Sequence, residues 1–152
     1  MKVEKDYEEI LKLFNRHKVK YCIIGAFAVA LYARPRYTKD IDIFIDSSPG
    51  NAEKIIKALS EFGFEDLDLS EDDLCQKGNI IQLGYEPLRV DIVTSLSGIS
   101  FDQVWKSKVG ADYGREKVYF IGLDDLIQTK KLSGRPQDKV DLDLLIKVKE
   151  RK

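Results

Sequence analysis

Apolar and polar positions change period several times along the chain, and each change marks an element. Residues 4–17 set Tyr7, Ile10, Leu11 and Phe14 at helical spacing, which predicts an amphipathic helix. Residues 19–24 are a short β-prone run that reads as a strand. Gly25 breaks it, and AFAVALYA reads as a compact helix that Pro35 ends at or before Arg34. Residues 40–45, DIDIFI, alternate as a strand does. Ile41, Ile43 and Ile45 take one face; Asp40, Asp42 and Phe44 take the other. After the SSPGN turn, Ala52, Ile55, Ile56, Leu59 and Phe62 form the stripe of a helix over 51–62, with Gly63 as its C-cap.

The second half obeys the same logic. Residues 64–69 read as a short strand, and SEDDLCQKG as a polar loop. Residues 79–84 and 88–93 read as a hairpin turning at Tyr85-Glu86-Pro87. A helix near 100–107 carries Phe101, Val104 and Trp105, and 117–121 is another strand. Two helices, about 123–132 and 137–149, close the chain, with Pro136 suited to the first turn of the last. Helices and strands therefore surround a small mixed sheet. The prediction is one α/β (α+β) domain over 1–152, with a core of about 19–122 and a C-terminal helical pair at about 123–149.

Length agrees with a single domain: 152 residues can bury a core without staples. The longest apolar stretch, 21–32, is too short to span a bilayer. The start is acidic and periodic, without the order of a signal peptide, so the expected location is cytoplasmic. A formal net charge of −1 excludes a strongly basic nucleic-acid reader. It leaves room for a local basic patch or a metal-bound anion. Cys22 and Cys75 lack metal-type spacing and are expected to be buried free thiols. His17 ends the first helix, where a cation is favourable.

The candidate chemistry lies in the acids. A DxD pair is common in an aspartate-rich chain, and Asp66/Asp68 and Asp141/Asp143 are two more. Its plain reading is the solvated face of a half-buried strand. Three features favour a site. Asp40 and Asp42 sit between apolar residues, where unpaired acids are costly and two carboxylates repel without a cation between them. Asp91 has a matching setting, RVDIV, and a third acid completes an all-oxygen site suited to magnesium. Upstream, a helix opening on Gly25 offers backbone N–H groups to an anion. Arg34, Arg36 and Lys39 lie between the two elements, either on phosphates or as solvated loop charges. Together these suit a metal-bound polyphosphate, with two ions orienting a nucleoside triphosphate.

This pattern resembles the nucleotidyltransferase superfamily: Gly-Gly or Gly-Ser at a helix start, then hDhDh, then a third acid between apolar residues. The stretch IIGAFAVALYARPRYTKDIDIFI resembles small bacterial proteins related to the AbiEii toxins of type IV toxin–antitoxin systems. The run DLIQTKKLSGRPQDKVDLDLL matches the same group. The resemblance covers most of residues 20–146. It implies Asp40, Asp42 and Asp91 as catalytic metal ligands for two Mg2+ ions, with an NTP as substrate. It places Gly25 and Ala26 at the triphosphate, and Lys130, Arg135 and Asp138 on the nucleotide side of the cleft. Ala26 departs from the usual Gly or Ser, so its Cβ crowds a phosphate and no hydroxyl is supplied. Arg135, Asp138 and Asp141 also read as a structural ion-pair and capping set at the last helix start, and one of Lys130 and Lys131 is expected simply to face solvent.

The implied activity is transfer of a nucleotide to an acceptor: a protein side chain, a tRNA end or a small molecule. The competing reading is an inactive, antitoxin-like module that keeps the fold and binds a cognate protein.

Overall fold

The computed structural model describes residues 3–33, 40–64, 68–85 and 88–151. Arg34, Arg36, Thr38, Lys39, Asp66, Glu86 and Pro87 lie outside them.

Helix α1 (Lys5–Arg16) buries Tyr7, Ile10, Leu11, Leu13 and Phe14. Asp6 and Glu8 in its first turn and Arg16 in its last complement the helix dipole. Strand β1 (Tyr21–Ile24) comes next and is buried throughout. Helix α2 (Gly25–Tyr32) leaves it with no intervening loop. Strand β2 (Asp40–Ile45) keeps the expected alternation. Ile41, Ile43 and Ile45 are wholly buried, and each stabilises the fold by roughly 1.5–3 kcal/mol. Helix α3 (Pro49–Phe62) opens on a Ser48 cap accepting from the Asn51 N–H, and stops at left-handed Gly63.

The structure departs from the sequence reading at four places. No strand forms at Phe64 or over 68–69 among the described residues. The stretch expected to be a loop holds helix α4 (Glu71–Cys75), nucleated by a reciprocal capping box between Ser70 and Asp73. An unforeseen strand, β5 (Val109–Tyr113), pairs with β6 (Glu116–Phe120) through a tight turn. Cys22 is buried as expected, whereas Cys75 is only half-buried. The remaining elements match: β3 (Ile80–Tyr85), β4 (Leu88–Val93), α5 (Phe101–Lys106), α6 (Leu123–Leu132) and α7 (Pro136–Glu150).

Among the described residues, six strands form one mixed sheet in the order β3-β4-β2-β1-β6-β5. Strand β1 runs antiparallel to β2 and parallel to β6; β2 runs parallel to β4. Helices flank it: α1 packs on α3, α3 on α4, α6 on α7, and α2 against β1, β2 and α7. Two registers bring candidate residues together across the central strands. Ile24 lies opposite Asp42, and Asp42 lies level with Asp91.

Candidate active site

The site grows out of the three central strands. Parallel pairing of β2 with β4 puts Asp42 beside Asp91 and Asp40 beside Arg89. Strand residues two apart share a face, so all four side chains emerge on the same side of the sheet. On the other side of β2, strand β1 ends at Ile24, opposite Asp42. The chain turns into α2 at Gly25, whose φ of +69° is left-handed.

Gly25 has a second reason to be glycine. A Cβ built there would overlap the carboxylate of Asp42. The bare backbone of the turn thus lets the acid stand against it. Gly25→Ala is expected to lose roughly 2 kcal/mol of stability, from left-handed strain and displacement of Asp42. Urea unfolding would measure it. The loss should shrink in an Asp42→Ala background, because the clashing group is then gone. If both backgrounds lose equally, the contact with Asp42 is not the cause.

A cavity of about 590 Å³ opens beside these strands. Gly25, Asp42, Asp91, Lys130, Arg135 and Asp138 all line it, so six of the residues expected at the site come together. Asp40 does not line it; its carboxylate instead meets Arg89. Ala26 is half-buried and also stands outside the lining. Part of the lining is one the sequence did not reveal: Asn79 just before β3 and Ile80 at its start, with Ser95 and Ser97 beyond β4. Two large apolar side chains remain exposed at this cavity, Ile80 and Leu132.

Crowding sets the electrostatics. Burial, then the charges of Asp91 and Asp40, push the Asp42 carboxyl up to about 6, against weaker pulls from Lys130 and Arg135. Burial also raises Asp91, while the Arg89 guanidinium draws it back. Arg89 bridges two acids: one terminal nitrogen reaches Asp40 Oδ2 at 2.8 Å, and its Nε reaches Asp91 Oδ1 at 3.2 Å. Its backbone is pinned by Tyr7. The tyrosine hydroxyl donates to the Arg89 carbonyl at 3.0 Å and accepts from the Arg89 N–H at 3.1 Å. Arg89 was missed at the sequence level, because its place beside Asp40 follows only from the pairing of β2 with β4.

Lys130 is the cation of a second cluster. It is buried at 7% exposure, with Nζ 2.7 Å from Asp138 and 3.4 Å from Asp141. Asp138 also accepts from Arg135 Nε at 2.8 Å and from Ser133. This arrangement ties the end of α6 to the start of α7. The expected pair of Arg135 with Asp138 forms, and Lys130, which the sequence did not place in that set, is the cation that brings in Asp141. Lys131 is exposed.

Burial alone would raise Asp138, but hydrogen bonds from Lys130, Ser133 and Arg135 override it and hold the carboxyl at about 2. The stabilisation is present above the ordinary carboxyl range and is lost as pH falls from about 4 toward 2. Acid unfolding should therefore be less steep in Asp138→Asn over that window, by about 2 kcal/mol in all. A melt series from pH 5 to pH 2 checks this; superposable acid limbs would refute it.

His17 accounts for itself away from the cavity, with Nε2 2.8 Å from Glu61. Among the described residues, no group of three or more His, Cys, Asp or Glu side chains is arranged to hold a metal ion. The cation that joins Asp40 to Asp91 in this arrangement is Arg89.

A family model described as "Nucleotidyltransferase of unknown function (DUF6036)" matches residues 1–148. The chain belongs to this family. Its fold agrees with solved structures of low identity. One is the lincosamide antibiotic adenylyltransferase LnuA, lincomycin-bound: 21% identity, TM-score 0.62, covering 95% of this chain and 97% of that one. Protein TM1012 of Thermotoga maritima gives 20% identity and a TM-score of 0.61, with 93% of each chain covered. ANT(2″)-Ia, in complex with adenylyl-2″-tobramycin, gives 15% identity and 0.57, covering 91% of this chain and 84% of that one. No curated protein matches the sequence. The expected superfamily and fold thus hold for this DUF6036 nucleotidyltransferase. The match does not extend to the AbiEii-type group. No described helix is long and apolar enough to cross a membrane.

Proposed function

We propose that this DUF6036 member transfers a nucleotide from a nucleoside triphosphate to a small-molecule acceptor, with magnesium held by Asp40, Asp42 and Asp91. The observation that carries the reading is Asp42 level with Asp91 on parallel strands, both facing a cavity that Gly25 also lines.

The donors suit a hard divalent cation in kind, although the three acids are not gathered round one point in this arrangement. They offer only carboxylate oxygens on one sheet face, crowded enough to lift Asp42 to about 6. Magnesium, when bound, neutralises the triphosphate and the developing charge on the leaving pyrophosphate. The chain's own groups do the rest. Asp42 and Asp91 fix the reacting centre against the Gly25 turn, and Arg135 adds positive charge at the rim. Asp91 is buried and raised in proton affinity, which suits it to accept the proton of the attacking hydroxyl. The acceptor oxygen then bonds to the α-phosphorus, the bond to pyrophosphate breaks, and the proton rests on the Asp91 carboxyl.

Two observations favour a small acceptor. LnuA, an antibiotic adenylyltransferase, is matched over 97% of its length. Besides the acids, the cavity lining mixes polar and apolar side chains, among them Asn79, Ile80, Ser95 and Leu132. Ala26 stands off the lining, so its methyl group does not narrow the cavity. Incubation with labelled NTPs, magnesium and a panel of hydroxylated small molecules tests the proposal. Neither transfer nor metal-dependent NTP binding would sink it. The toxin–antitoxin relationship rests on the sequence resemblance. A cognate protein co-purifying with a chain that binds no nucleotide would favour it instead.

A further inference from the structure

We propose that Arg89 is a resident counter-ion of the acid site, which a divalent cation must displace from Asp40 and Asp91 before it can bind. The inference rests on the metal-dependent reading but concerns a residue that reading does not use.

The geometry is specific. Arg89 lies level with Asp40 across the β2–β4 ladder and two residues before Asp91 on its own strand. From that position one guanidinium spans both acids, at 2.8 Å and 3.2 Å. Without a cation, three carboxylates on one sheet face would repel one another and splay. The guanidinium places a positive charge between Asp40 and Asp91 and holds the two carboxylates in position.

The same side chain is built to leave. Its backbone is fixed by the Tyr7 hydroxyl on both the N–H and the carbonyl. Its side chain, however, is 30% exposed and its partner Asp40 33%. The half-buried pair with Asp40 is the weaker arm; the pair with Asp91 is largely buried, so only a bound cation that replaces the guanidinium charge can take its place. A pinned Cα with a long, half-buried side chain lets the head group be displaced toward the open side of the site while β4, and Asp91 with it, stays in register. Asp91 is the less exposed partner, at 12%, so the departing guanidinium must be replaced there by the charge of the incoming cation. Arg89 is thus a positioning residue whose departure makes room for the metal.

Competition of this kind lowers the affinity for metal, and removing the competitor raises it. Manganese binding, read as the loss of the free-ion electron paramagnetic resonance signal, tests this on the whole chain without nucleotide. Arg89→Gln is expected to bind Mn2+ about five- to tenfold more tightly than the native chain. Arg89→Lys keeps the charge and should stay within about twofold of native. Equal or weaker binding by Arg89→Gln, with the native chain binding normally, overturns the proposal and leaves metal-dependent transfer intact. Should neither chain bind Mn2+, the metal-dependent reading falls and this proposal with it. A second measurement needs no variant. The 15N–1H signal of the Arg89 Nε group in the native chain should move on saturation with Mg2+. An Arg89 signal unmoved at saturation overturns the proposal even if Arg89→Gln does not fold.

Discussion

Asp42→Asn is expected to abolish nucleotide transfer and, in the absence of divalent metal, to make the protein more stable rather than less. The two effects share one cause. Asp42 stands beside Asp91 and near Asp40, against a backbone turn that leaves little room for water. Burial and those two charges raise its carboxyl to about 6. A group with a raised folded pKa binds its proton more tightly in the folded state. Stability therefore falls as pH rises from about 4 to about 6, and stays reduced above that range. Asparagine keeps the shape and removes the charge. At pH 7.5 the variant should gain on the order of 1–2 kcal/mol, discounted for the open side of the cavity. The gain should vanish below about pH 4. Transfer should fall by about 10³-fold or more, roughly 4 kcal/mol of transition-state stabilisation, because a charge at the reacting centre is lost. Melts in EDTA at pH 4 and pH 7.5, beside the transfer assay, separate the two. A variant that retains even a tenth of native transfer would remove Asp42 from the chemistry.

Lys130→Met is expected to destabilise the protein by about 3–5 kcal/mol. The ammonium is buried among two acids of α7, themselves 2% and 0% exposed. Removing it leaves buried charges without their cation, which is far more damaging than losing an exposed pair. Against a total stability of about 5–15 kcal/mol, that loss should lower the melting temperature by roughly 6–20 °C. Partial recovery is expected when Asp138 and Asp141 are changed to asparagine in the same chain, since the unmatched charges are then removed. Urea denaturation of the three proteins gives the numbers. A loss under about 1 kcal/mol for Lys130→Met would show that the cluster is not holding α6 to α7. Its role would then be confined to the cavity.

These two sites were not equally legible in the sequence. DIDIFI declares its period and its inner position by composition alone, and RVDIV declares a second strand. That they lie side by side and level does not follow from either. It depends on the sheet order, which inserts β1 between β2 and β6 and sends β4 to the far side of β2. Arg89 was lost for that reason: its meaning lies in the register with Asp40, a relation between strands. Strand β5 was missed because VGADY has a glycine and an aspartate where a strand usually carries β-branched residues; pairing with β6 decides its conformation. Helix α4 was missed because its charged composition suggested a loop, although Ser70 and Asp73 stand at capping-box spacing. The helices with apolar stripes, α1 and α3, were the most legible. A stripe states both period and buried face.

The turn at Gly25 bears on how sequences of this kind diverge. Residue 25 and residue 42 compete for one small volume, so they are free to change only together. A lineage that keeps aspartate at 42 is held to glycine at 25. Once the acid is lost, the constraint on space lifts, although the left-handed backbone still favours glycine or asparagine. A descendant with a larger residue at 25 and a shorter one at 42 would therefore be a chain that has given up the reaction and kept the scaffold. That paired exchange could be recognised by inspection, before any assay.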